Sequence, residues 1–236
     1  MKLDSYSFSN IGGRTENQDA VGCLEAADSG IYVVADGLGG HQAGRVAADC
    51  VVNTMLGSWK AGELPDLAAM IGTANETVLS VQREKKLNTK STVVALAVAG
   101  GNAVWAHTGD SRLYYLHDGK VAAYTEDHSV AYMKFKAGEI TRAQIPEDED
   151  QSSLLRAIGG PRRWEPDCAG AEGLTAGDGF LLCSDGAWEY LHDEEILVDH
   201  LKAANAKEWA SLMLLRISER VQPGNDNLSL ITVLVK

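Results

Sequence analysis

Cysteine is scarce in this 236-residue chain: Cys23, Cys50, Cys168 and Cys183 stand far apart, with no Cys-x-x-Cys pair and no histidine at zinc spacing. That excludes a disulfide framework and a structural zinc site, and points to free thiols in a reducing compartment. Positive charge is also short, 21 Lys+Arg against 33 Asp+Glu, for a formal net charge of −12. The balance argues against nucleic acid or an anionic membrane as partner and favours a site that holds cations. A long hydrophobic run is missing too. The one extended uncharged stretch, Ser91–Gly109, is interrupted by Gly100-Gly101-Asn102, and its Val/Ala-rich halves read as a hairpin. Met1-Lys2-Leu3-Asp4-Ser5 has no apolar segment of the secretory kind, so a soluble, cytoplasmic protein is expected. Proline numbers only five, and neither an interdomain linker nor a long repeat is visible.

What is present suits a folded domain. Hydrophobic residues make up 45% of the chain, and at this length roughly 70–75% of the unfolded surface is buried on folding, enough for a core without staples. Ile31–Ala35 reads as a buried strand ending at Asp36-Gly37. Beyond Gly40, Ala43, Ala47, Cys50, Val51, Met55 and Trp59 recur at spacings of three and four, one face of a helix. A second helix follows Pro65-Asp66, both placed in its first turn, with Leu67, Met70, Ile71, Ala74, Val78 and Val81 inward. Strands are expected at Thr92–Ala99, Ala103–His107, Arg112–His117 and Val121–Tyr124, joined by hairpins into an antiparallel sheet. From Asp127 to Gly160 the pattern gives short helical pieces and the acidic loop Glu147-Asp148-Glu149-Asp150. Phe180–Ser184 is a further strand, Asp193–Ala203 and Ala206–Val221 are helices, and Leu228–Val235 closes the chain as a strand. Such an order suggests an α+β fold, two antiparallel sheets stacked face to face with helices outside.

The aspartates carry the chemistry. Asp36 and Asp185 each end an apolar strand and precede glycine, and Asp226 stands in Gly224-Asn225-Asp226-Asn227 before the last strand. Asp110 sits in Thr108-Gly109-Asp110-Ser111-Arg112, between two expected hairpin strands, and Asp19 ends the polar run that begins at Arg14. One Asp-Gly after a strand is a turn; Asp118-Gly119 and Gly177-Asp178-Gly179 fit that reading. Five carboxylates at strand ends are another matter. Hard divalent ions take carboxylate, carbonyl and water oxygens, and they relieve the repulsion that gathered carboxylates otherwise suffer.

The set Arg14-x-x-Asn17-x-Asp19, Asp36-Gly37-Leu38-Gly39-Gly40-His41, Thr108–Arg112, Asp127-His128-Ser129, Ser184-Asp185-Gly186 and Asn225-Asp226-Asn227 resembles, in order, the metal-dependent PPM phosphatases. These are the type-2C protein serine/threonine phosphatases, and the bacterial branch is the nearer match. The resemblance runs from Arg14 to the C-terminus. It implies a four-layer α-β-β-α sandwich, one catalytic domain over 1–236, and a flap over about 128–165. By the same resemblance, Asp36 bridges two Mn²⁺ or Mg²⁺ ions with the Gly37 carbonyl on one of them, and Asp185 and Asp226 complete the protein ligands of the second ion. Asp110 with Asp185 holds a third ion, Asp19 lies at the rim and reaches metal directly or through water, and Arg14 grips the substrate phosphate through its two-pronged guanidinium. An ion-activated water attacks phosphorus, so no cysteine or serine nucleophile is needed. His41 is the candidate general acid, and Asp127-His128-Ser129 reads as a helix cap. The expected substrates are phosphorylated proteins, opposite a Ser/Thr kinase. A same-fold phosphomonoesterase on small substrates and a silent phosphoprotein-binding module are the alternatives. In the flap the acidic 147–150 segment replaces a His-Pro stretch common among bacterial members; it is either a solvated loop or a charge filter for substrates.

Overall fold

The computed structural model describes residues 1–39, 43–160 and 164–236. Along the chain run β1 (Leu3–Asn10), β2 (Ala20–Ala26), β3 (Ser29–Ala35), β4 (Gly37–Leu38), α1 (Ala43–Ser58), α2 (Leu67–Lys85), β5 (Lys90–Ser91), β6 (Val93–Ala99) and β7 (Asn102–Thr108). Then come β8 (Arg112–His117), β9 (Lys120–Tyr124), α3 (Val130–Lys136), a 3₁₀ turn (Arg142–Glu147), β10 (Asp167–Ala171), β11 (Gly179–Cys183), α4 (Asp185–Trp188), α5 (Asp193–Lys202), α6 (Ala206–Arg220) and β12 (Leu228–Val235). The strands form two five-stranded antiparallel sheets, ordered β1-β12-β11-β8-β9 and β10-β7-β6-β3-β2, with β4 and β5 as a small extra pair.

Alternation along each strand explains the stacking. In β3, Ile31, Val33 and Ala35 face one way and pack with Val51, Met55 and Ile71 of α1 and α2. Tyr32 and Val34 face the other way, meeting Leu113, Phe180, Ile231 and Val233 of the opposite sheet. On that sheet's far side, Leu181, Leu230 and Leu234 pack against Ile196, Trp209 and Met213 of α5 and α6. Strands covered on both faces read as near-continuous apolar runs, as β3, β6 and β11 do, and β12 does apart from the buried Ser229 and Thr232. The expected helix–sheet–sheet–helix layering is the observed one.

Two local expectations change. Asp66 is the N-cap of α2, its side chain accepting the Ala69 N–H at 3.0 Å, so it stands outside the first turn. More important, β7 and β8 lie in different sheets, so Thr108–Arg112 is a crossover and not a hairpin turn. Asp110 therefore stands where the chain passes from one sheet to the other. The acidic segment 147–150 is not free either: Lys134 Nζ reaches Asp148 at 2.8 Å and Asp150 at 2.9 Å. One lysine offsets a single charge of the four and ties the segment to α3, so most of the negative charge remains. Among the described residues no helix is long and apolar enough to cross a membrane.

Candidate metal centre and active site

One end of the sandwich gathers the aspartates because β3, β11 and β12 deliver them there. Asp36 follows β3, Asp185 opens α4 immediately after the β11–Ser184 segment, and Asp226 precedes β12. Asp36, Gly37, Asp185, Asp226 and Arg14 line a single cavity of about 420 Å³, with Ser152 at its wall. The Arg14 loop is docked there by Asn227, whose Nδ2 donates to the carbonyls of Ile11 at 2.8 Å and Glu16 at 2.9 Å, while its Oδ1 accepts the Gln18 N–H at 2.7 Å. Gly37 has no room for a side chain, since a β-carbon would overlap the Gly44 carbonyl oxygen. Its backbone can thus come close to whatever occupies the cavity.

Asp36 is braced by Thr92: its N–H donates to Thr92 Oγ1 at 2.9 Å, and its carbonyl accepts the Thr92 N–H at 2.8 Å. Thr92 Oγ1 also bonds Ser111 Oγ at 2.7 Å, next to Asp110. Asp19, at 1% exposure, accepts the Ser184 hydroxyl on Oδ2 at 2.8 Å, beside Asp185. The structure thus brings Asp19, Asp36, Asp110, Asp185 and Asp226 into one neighbourhood, Asp19 and Asp110 being the buried members.

Their electrostatics is that of uncompensated anions. Burial, then repulsion from Asp185, Asp19, Asp110 and Asp226, holds the Asp36 carboxyl well above its usual range. Asp185 is raised likewise, by burial and then by Asp110, Glu189 and Asp226. Burial, with Asp127 adding to it, pushes Asp110 up to about 7, and burial pushes Asp19 up to about 6. Asp226 meets Arg14, which donates Nε at 3.0 Å and Nη2 at 2.6 Å to its two oxygens.

These residues fit divalent ions by two observations. Asp19 Oδ1 is buried without a hydrogen-bond partner, and the donor set is carboxylate and carbonyl oxygen, the chemistry that Mn²⁺ and Mg²⁺ accept. Among the described residues no trio of acidic, His or Cys side chains is yet drawn around one ion position. The carboxylate oxygens of Asp226, Asp19 and Asp185 are held by Arg14, by the Ser184 hydroxyl and by the N–H groups of Gly186 and Asn227.

His41 lies outside the described residues. Sequence reasoning missed Glu189, one turn beyond Asp185, which burial and then Asp226 push up to about 7. It also left Asn227 and Ser184 without roles, although both stand inside the motifs. Asp127-His128-Ser129 does cap α3, Ser129 Oγ accepting the Tyr132 N–H at 3.2 Å. Asp127 does more: it takes Arg112 Nε and Nη2 at 2.8 and 2.7 Å in a buried ion pair.

A family model described as Protein phosphatase 2C matches residues 9–213. The chain is 32% identical over 232 residues to the serine/threonine phosphatase stp of Listeria welshimeri, covering 93% of this chain and 90% of that protein. Its fold is similar to that of the Streptococcus agalactiae serine/threonine phosphatase, TM-score 0.84, 26% identity, 100% of both chains. It is similar too to the catalytic domain of Mycobacterium tuberculosis PstP in complex with two manganese ions, TM-score 0.81, 29% identity, covering 98% of this chain and 97% of that one. With the sandwich and its carboxylate end, these findings place the chain in the protein phosphatase 2C family. It is a metal-dependent protein serine/threonine phosphatase.

Proposed function

We propose that Asp36 bridges two divalent ions, Mn²⁺ or Mg²⁺, with the Gly37 carbonyl on one of them and Asp185 and Asp226 on the other. Asp19, buried beside them, reaches a metal directly or through water, and Asp110 with Asp185 takes a third ion. When bound, such ions make a shared water acidic enough to attack phosphorus near neutral pH and neutralise charge on the transferring group. The chain's own residues do the rest. Arg14, exposed at the cavity mouth, offers two parallel N–H groups, which suit two phosphate oxygens as well as they suit the Asp226 carboxylate. The Thr92 bracket holds Asp36 in place without reorganisation during turnover. A cysteine nucleophile has no support here: Cys183 is buried, and burial pushes its thiol up to about 12. His41 is the proposed proton donor to the departing serine or threonine oxygen. The flap, about 128–165, contributes Ser152 to the cavity wall. The substrates are phosphorylated proteins, the opposing enzyme is a Ser/Thr kinase, and the setting is the cytoplasm.

One observation carries the reading: Asp36 and Asp185 share a cavity, and the nearness of Asp185 adds to burial in raising the Asp36 pKa. Phosphate release from a phosphothreonine peptide with Mn²⁺ tests it, alongside Asp36→Asn. Release by the wild type, abolished by chelator and by the variant, is expected. Full activity of Asp36→Asn would remove the bridging role.

A further inference from the structure

Asp110 is 3% exposed, and its backbone fixes where its carboxylate stands. The preceding residue, Gly109, is held on both sides by His128: its carbonyl accepts the His128 N–H at 2.9 Å, and its own N–H donates to His128 Nδ1 at 3.1 Å. The carbonyl of Asp110 itself accepts a hydrogen bond from Trp188 Nε1 at 2.9 Å. Trp188 is 1% exposed and belongs to the same short helix as Asp185. The indole N–H therefore spans two segments that are far apart in sequence and that carry two of the proposed ligands. Trp188 is itself immobilised. The Arg112 guanidinium lies 3.5 Å from its ring centroid, and Asp127 grips that guanidinium through two hydrogen bonds. Packing alone asks only for the ring; the aim of the N–H at a carbonyl beside a ligand is the additional feature.

We infer that Trp188 is a positioning residue: its indole N–H holds the Asp110 carbonyl to the Asp185 turn and so sets the affinity of the divalent ion that Asp110 and Asp185 share. The inference rests on the ligand roles proposed for those two aspartates. Removing the donor leaves a buried carbonyl without a partner, and the ligand carboxylate is free to drift.

Binding of Mn²⁺ to the full chain, followed by the electron paramagnetic resonance signal of free ion, tests this in four proteins. They are the wild type, Asp110→Asn, Trp188→Phe, and a protein with 3-benzothienylalanine at position 188, where sulfur replaces N–H at unchanged ring size. Asp110→Asn should lose one binding step. Both position-188 proteins should bind in that same step about tenfold or more weakly, with the tighter steps unmoved. If Asp110→Asn loses the step while both position-188 proteins bind as the wild type does, the positioning role is overturned and the ligand reading stands. If Asp110→Asn binds as the wild type does, the ligand reading fails and the inference with it. Equal weakening of every step, or an isostere that does not fold, makes Trp188 a core residue only and overturns the inference. Should Trp188→Phe alone fail to fold, the isostere decides.

Discussion

Asp110→Asn should stabilise the metal-free protein at alkaline pH and leave it unchanged near pH 4. An ordinary aspartate titrates near 3.8, whereas burial and Asp127 push Asp110 up to about 7. Between those values the native chain binds a proton that the unfolded chain does not. Metal-free stability therefore falls as pH rises through this window, and the full cost is present above about 7. At 1.36 kcal/mol per pH unit the cost is at most about 4 kcal/mol, and an effective dielectric well above that of dry protein brings it nearer 2. Asparagine keeps the side chain's shape, and the Trp188 bond to the main-chain carbonyl is untouched. For a domain of this length each kcal/mol moves Tm by about 2–4 °C, so the variant should melt roughly 4–16 °C higher at pH 8. Calorimetry after chelation, from pH 4 to pH 9, measures the difference between the two proteins. A variant that melts at or below the wild type at pH 8, or a gap that fails to close toward pH 4, would refute the reasoning.

Other outcomes follow from the same structure. Asp127→Asn leaves Arg112, 6% exposed at its side chain, as a buried charge without a counter-ion. It should cost about 3–5 kcal/mol in urea unfolding, most of it recovered in an Arg112→Met/Asp127→Leu double variant. Saturating Mn²⁺ at about a hundred times its Kd should add about 2.7 kcal/mol and raise Tm, with EDTA reversing the shift; a Tm indifferent to both would contradict a metal centre. Arg14→Ala should lower kcat/KM for a phosphopeptide about 10²-fold, through loss of a bidentate phosphate contact, and an unchanged value would remove that role. His117 donates from the ring to buried Asp178 at 2.7 Å, a bond that raises its pKa. Its contribution is complete below about pH 6.5 and fades as pH climbs through the folded value. The Tm gap between wild type and His117→Gln should therefore be present at pH 6 and absent at pH 9; a gap that grows with pH would be contrary.

The core strands and the long helices were legible in the sequence because burial on both faces, or on one stripe, writes itself as composition. β3, β12, α1 and α6 fall within a residue or two of where their apolar patterns put them. β1 was not legible. Its pattern, Leu-Asp-Ser-Tyr-Ser-Phe-Ser-Asn, is polar at every second place because it is an edge strand beside β12, and its partner is at the far end of the chain. β2 and β10 are also edges with exposed residues and escape for the same reason. The sheet change between β7 and β8 was hidden because a crossover and a hairpin loop of this length share Gly, Asp and Ser. The positions of the five aspartates were readable from strand ends and glycines, but their bracing was not. Thr92, Asn227 and Trp188 act on residues far away in sequence, and no local pattern announces such a partner.

Crystals grown with Mn²⁺ and measured at the manganese absorption edge give the most direct test of the carboxylate centre. Anomalous peaks within ligand distance of Asp36, with Asp185 and Asp226 around one of them and Arg14 turned toward the open cavity, are the expected result. A map with no peak at this end of the sandwich, or with manganese only at surface acids elsewhere, would contradict it.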